Sequence, residues 1–176
     1  DDHATSFEIT EHLIELGHKD IGFISGGFEH KSTHERLLGY KDALTKHGLP
    51  FNESMMFKGE YSFETGVNGV QQLCQQQNKP TAIFSCNDEI AAGALFSARL
   101  MNISVPDQLS ITGFENSPFS RQTWPKLTTA HQPNKDIAQL ATSILISQIR
   151  KQEEVEGGKV FTPEVVVRES TGRLSV

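Results

Sequence analysis

Residue types that grip small polar molecules follow short apolar runs at several points of the chain. Ser32 and Arg36 come after Ile21-Gly22-Phe23-Ile24, and Tyr61 after Met55-Met56-Phe57. Asn87 and Asp88 come after Thr81-Ala82-Ile83-Phe84, and Glu115 after Leu109-Ser110-Ile111-Thr112. An arginine fork, an amide, carboxylates and an aromatic face together orient vicinal hydroxyls, because each hydroxyl both donates and accepts. The chemistry implied is the holding of a sugar or similar polyol, without its transformation. Every member also has an ordinary reading. Ser32 in Ser32-x-x-Glu35 has the form of a capping box, and Asp88 that of a helix N-cap. Arg36 is equally a solvated charge or an ion-pair partner, Tyr61 a packing residue, Asn87 a turn residue and Glu115 loop polarity. What gives them weight is their shared place after strand ends, where an open parallel sheet gathers loops and helix N-termini into one crevice.

Motifs for catalysis are not met. Ser25-Gly26 is not in a G-x-S-x-G elbow, and Gly22, Gly26 and Gly27 make neither G-x-G-x-x-G nor a phosphate-binding loop. His30 and His34 are four apart, but Lys31 stands where a zinc-binding H-E-x-x-H needs glutamate, so no metal and no cofactor are expected. His3, His12, His18, His47 and His131 are scattered and are expected to face solvent or end helices. The enzymatic alternative is a glycosidase-like use of Asp88 and Glu115 as acid and base.

The elements that would position these residues alternate. Ile9, Leu13 and Leu16 before Gly17 outline a helix from His3 to Leu16. Helices are expected again around Leu37, Tyr40 and Leu44, around Val67, Val70 and Leu73, and from Asn87-Asp88 through Ile90, Ala94 and Ala98. Between them lie the apolar runs already named, each short enough for a buried strand. Leu127 to Ala130 is a further extended piece, residues 134–150 the strongest amphipathic helix, and Val165-Val166-Val167 a closing strand. This alternation predicts an α/β fold, a doubly wound, mostly parallel sheet with helices on both faces. The stretch from Glu115 to Lys126, with Pro118 and Pro125, reads as a surface excursion, and residues 152–159 as a solvated loop.

Composition narrows the class. The chain has 176 residues, 36% hydrophobic and 22% charged, a balance suited to one compact unit. Its formal net charge of −6 argues against a general grip on nucleic-acid phosphates by this segment. Cys74 and Cys86 show no paired or metal-ligand spacing and read as small buried thiols, which with the absence of a long apolar run and of a basic N-terminal start points to the cytoplasm and not to a membrane.

An ordered series of short motifs runs the length of the chain: Leu16-Gly17-His18-Lys19-Asp20-Ile21, Arg36-x-x-Gly39-Tyr40, Pro80-Thr81-Ala82-Ile83-Phe84, Asn87-Asp88, Val105-Pro106, Gly113-Phe114, Leu127-Thr128-Thr129 and Arg168-x-Ser170-Thr171. In that order and spacing it resembles the effector-binding region of the lactose-repressor/galactose-repressor family of transcription regulators. The resemblance implies a periplasmic-binding-protein-like fold of two lobes joined by crossovers, holding a small effector, usually a sugar or nucleobase, between them. It implies one lobe from residues 1–129, a crossover segment over 130–159 whose helix belongs to an absent N-terminal lobe, and a return over 160–176. It further implies a homodimer that meets operator DNA only through a helix-turn-helix headpiece outside this chain. Carried over by position, Ser32, Arg36, Tyr61, Asn87, Asp88 and Glu115 become effector contacts, and Gln132 lines the hinge. Glu115 departs from the family's usual aspartate and reaches one methylene farther, roughly 1.5 Å. The loop Ser117 to Pro125 with Trp124 falls where the family builds its dimer contact, with packing inside the lobe as the other reading of Trp124. A transport-type sugar-binding protein of the same fold is the competing function.

Overall fold

The computed structural model describes residues 1–150 and 159–174. The first helix, α1 (Asp2–Glu15), leads into β1 (Ile21–Ser25), α2 (Lys31–Lys46), β2 (Met56–Lys58), α3 (Phe63–Cys74), β3 (Ala82–Ser85), α4 (Asp88–Leu100) and β4 (Ser110–Thr112). There follow a short α5 (Phe119–Gln122), β5 (Thr129–His131), α6 (Asn134–Ile149) and β6 (Glu164–Val166). β1 and β3 are buried along their whole lengths, as central strands covered on both faces must be.

Four strands pair in parallel in the order β2-β1-β3-β4. Parallel bridges Thr112 to Thr128 and Glu115 to His131 set β5 beside β4, and β6 closes antiparallel on β5 with Ala130 opposite Val165. The connection from β1 runs outward to β2, whereas those from β3 and β4 run the other way. Right-handed crossovers therefore place α2, with α1 packed on it, on one face of the sheet and α3 with α4 on the other. The reversal falls between β1 and β3, where diverging loops leave a crevice at the carboxyl ends of the strands.

The core shows why these residues fold this way. Phe23 stacks at 5.1 Å on Tyr40 and edge-on at 5.3 Å on Phe84, joining α2 to the two central strands. The buried Tyr40 hydroxyl donates to the Ile21 carbonyl at 2.7 Å. On the other face α3 and α4 cross so closely that a Cβ on Gly66 would collide with the Ile90 carbonyl, and one on Gly93 with the Phe63 carbonyl.

Several local expectations need correction. Ser32 is not a cap: α2 begins at Lys31, His30 holds the N-cap position without a side-chain bond, and Ser32 sits inside the first turn. Asn87, not Asp88, caps α4, its Oδ1 accepting from the Ile90 amide at 2.9 Å. The excursion after Glu115 contains the four-residue α5. His18 does not face solvent. It is buried, with Nδ1 3.0 Å from the Thr81 hydroxyl and Nε2 3.0 Å from the Ser110 hydroxyl and 3.1 Å from the Gly172 carbonyl. Cys86 is buried as expected, Cys74 only half-buried, and both are free. Trp124 is 78% exposed, which removes the reading of it as packing within the lobe. Apart from Lys159, the expected loop over 152–159 lies outside the described residues.

No residue of α6 is buried, and Ile137, Leu145, Ile146 and Ile149 are exposed along it. No described helix is long and apolar enough to cross a membrane.

Candidate functional site

Arg36 ties the carboxyl ends of the central strands together. It projects from the second turn of α2 and is only 3% exposed. One terminal nitrogen donates to the Cys86 carbonyl, just past β3, at 2.5 Å, and the guanidinium lies 3.9 Å from the centre of the Phe114 ring, just past β4. Nε and the other terminal nitrogen both reach Asp2 Oδ2 at 3.0 Å. The residues next to these anchors are Asn87 and Glu115, so Arg36, Asn87 and Glu115 share one ledge.

Tyr61 closes the β1 side. Its hydroxyl is 2.8 Å from that of Thr33, its ring meets His30 edge-on at 5.4 Å, and a Cβ on Gly26 would collide with it. Burial raises the Tyr61 pKa, with the Cys86 thiol adding to the rise while hydrogen bonds to Thr33 and Ser32 oppose it. Ser32 is thus the neighbour of Tyr61 and half-buried on the same rim.

The two carboxylates differ. Asp88 has no exposure: Oδ2 accepts from the Ser117 amide at 2.6 Å and Oδ1 from the Thr129 hydroxyl at 2.5 Å. Burial raises its pKa and these hydrogen bonds pull it back. Its geometry is that of a strut that ties the start of α4 to Ser117 and Thr129. Glu115 is half-buried on the rim, its pKa raised by burial while Arg36 opposes the rise. It has a φ of 112° and Asn116 one of 55°, consecutive positive values that side-chain-bearing residues rarely adopt. The surroundings enforce them: Glu115 N donates to the Ala130 carbonyl at 2.9 Å, and Arg168 donates to Asn116 Oδ1 at 2.6 Å. Strain held in this way is frequent at ligand-binding loops. Gln132 shares with Glu115, Asn116, His131 and Lys135 an open concavity of about 740 Å³ between this loop and the start of α6.

Arg36, Asn87 and Glu115 thus meet at the carboxyl ends of β3 and β4, Ser32 and Tyr61 neighbour each other on the β1 side, Gln132 shares a concavity with Glu115, and Asp88 is turned inside. Sequence reasoning missed Asp2, Thr33 and Phe114 as neighbours of Arg36 and Tyr61. Among the described residues no cluster of histidine, cysteine or carboxylate side chains could hold a metal ion.

The periplasmic binding protein-like domain model matches residues 10–171. Catabolite control protein A of Priestia megaterium is 38% identical over 168 residues, covering 94% of this chain and 50% of that protein. The transcriptional repressor CytR of Escherichia coli is 36% identical over 174 residues, covering 99% of this chain and 51% of that protein. A sugar-binding LacI-family transcriptional regulator from Escherichia coli, solved in complex with phosphate, superposes with a TM-score of 0.91 at 31% identity, covering 98% of this chain and 62% of that one. The chain spans about half the length of the curated relatives it matches.

Proposed function

This chain belongs to the LacI family of transcriptional regulators, in its periplasmic-binding-protein-like region, and from that premise we propose that it supplies one wall of the pocket for a small effector, most simply a sugar. The observation that carries this reading is the convergence at Arg36. One guanidinium binds the end of β3 and stacks on the end of β4, directly before Asn87 and Glu115, while Tyr61 reaches the Cys86 thiol from the β1 side. Ser32, Tyr61, Asn87, Glu115 and Gln132 touch the effector. Arg36 shapes the floor and offers its unused N–H groups, and Asp88 positions the Glu115 loop. Residues 1–129 with 160–176 form one lobe, and 130–159 lead to a second that completes the site. Binding then shifts the population of lobe arrangements, and in a dimer this alters how paired DNA-reading headpieces sit on their operator. The module works in the cytoplasm and performs no chemistry. A two-carboxylate hydrolase would lack one partner, because both oxygens of Asp88 are engaged inside the protein.

A thermal-shift screen of the full-length protein against sugars and nucleobases tests the proposal. An upward shift with one of them, lost in Asn87→Ala, is expected. The isolated chain holds half the pocket and is expected to bind weakly or not at all, so micromolar sugar binding to it in calorimetry would contradict the two-wall reading.

A further inference from the structure

Three segments hold the Asn116 side chain. Its Oδ1 accepts from Arg168 Nη2 at 2.6 Å and from the Ser120 hydroxyl at 3.1 Å, which leaves Nδ2 to meet His131 Nδ1 at 3.1 Å. An arginine N–H can only donate, so its partners fix the orientation of the amide. Arg168 reaches further: its other terminal nitrogen donates to the Leu127 carbonyl at 2.8 Å, and its backbone amide to the Thr128 hydroxyl at 2.9 Å. One planar guanidinium, 52 residues beyond Asn116, thus bridges the loop after β4 and the entry to β5.

Asparagine adopts a φ of 55° readily, so the backbone of Asn116 needs no clamp of its own. Glu115 is different. Its φ of 112° is costly for a residue with a side chain, and glycine would relieve it. A glutamate kept at such an angle has its carboxylate aimed by the backbone. That backbone is held at the Glu115 amide by the Ala130 carbonyl, at Asn116 by Arg168 and at the Ser117 amide by Asp88.

We propose that Arg168 is a positioning residue for the effector site: through Asn116 it fixes the backbone that aims Glu115 into the rim, while lying outside the lining of the concavity that Glu115 and Asn116 share. The proposal rests on the sensor reading above. It gives the stretch after β6 a part in recognition without contact to what is recognised.

Arg168→Lys in the full-length protein tests this. Lysine keeps the positive charge, which also acts on Asp88, but an ammonium does not replace a fork that holds Leu127 and Asn116 together. In calorimetry with glucose, galactose, ribose and adenosine as probes, the one that the wild type binds is expected to bind about tenfold more weakly. Asn116→Gly, which permits the φ and removes the clamp, is expected to match it. In a Glu115→Ala background Arg168→Lys is expected to change affinity by less than about twofold, since the residue it acts through is gone. Hydrogen exchange of the unliganded Arg168→Lys protein is expected to be faster at residues 115–117 and unchanged in α2. Wild-type affinity in Arg168→Lys or Asn116→Gly, or the full loss persisting without the Glu115 side chain, overturns the positioning role and leaves the sensor reading intact. If the wild type binds none of the probes the sensor reading fails, and the exchange rates then decide alone: unchanged rates at 115–117 overturn the positioning role as well.

Discussion

Asp88 and Glu115 are carboxylates of neighbouring junctions in opposite surroundings, and the difference decides what each can do. Asp88 joins the start of α4 to Ser117 and Thr129, so Asp88→Ala strips the partners from a half-buried amide and a buried hydroxyl. A loss of about 2–4 kcal/mol is expected in urea unfolding, together with weaker effector binding as the Glu115 loop relaxes. Tyr40→Phe removes the hydroxyl donor from the Ile21 carbonyl in the core and is expected to cost about 1–2 kcal/mol by the same measurement, with no change at the rim. Most of the rim was legible in the sequence because position after a strand is a local signal, and Arg36, Tyr61, Asn87 and Glu115 all have it. Asp2 was not, because it reaches Arg36 from 34 residues away and nothing near it in the chain marks the pairing. The inward turn of Asp88 was not legible, because an N-D pair at a helix start does not say which side chain caps the helix and which turns inside.

The helices explain the element-scale successes and failures. Apolar spacing located α1 to α4 and α6 because each long helix buries a stripe or, in α6, displays one. At α2, Ser32-x-x-Glu35 has the letters of a capping box, but the chain enters the helix two residues earlier, with His30 at the N-cap position. The four-residue α5 has too little length for periodicity to reveal it. The α3–α4 crossing depends on Gly66 and Gly93, each against a carbonyl of the opposite helix. Gly93→Ala raises helix propensity yet is expected to lower stability by about 2 kcal/mol, because two backbones must separate to admit one methyl group. A higher urea midpoint for this variant would show that the crossing tolerates the methyl.

For the whole molecule, surface and pH carry the tests. Trp124 and Phe119, both in the excursion after Glu115, present aromatic surface to solvent. If this loop forms the homodimer contact proposed from the family, Trp124→Ser converts dimer to monomer in sedimentation while the far-UV spectrum stays the same. His12 and His18 both hold lowered pKa values, chiefly through burial, and the His18 charge adds to the effect at His12. Lowered folded values mean that the unfolded chain binds protons more readily. Their contribution is therefore full above the ordinary imidazole value of about 6.5 and drains away as pH falls below it towards the lowered folded values. Urea midpoints between pH 7.5 and 5 are expected to fall, and His18→Gln to flatten the slope.

Residues 168–174 also impose an order on synthesis. Ser170 donates to the Ile111 carbonyl and accepts from the Thr128 amide, Gly172 binds His18, and Leu174 N donates to the Leu16 carbonyl. This late segment laces together strands and a helix made long before it. A ribosome must therefore release nearly all of the segment before the domain can lock, and until then the nascent polypeptide needs shelter from proteases and from its own exposed edges.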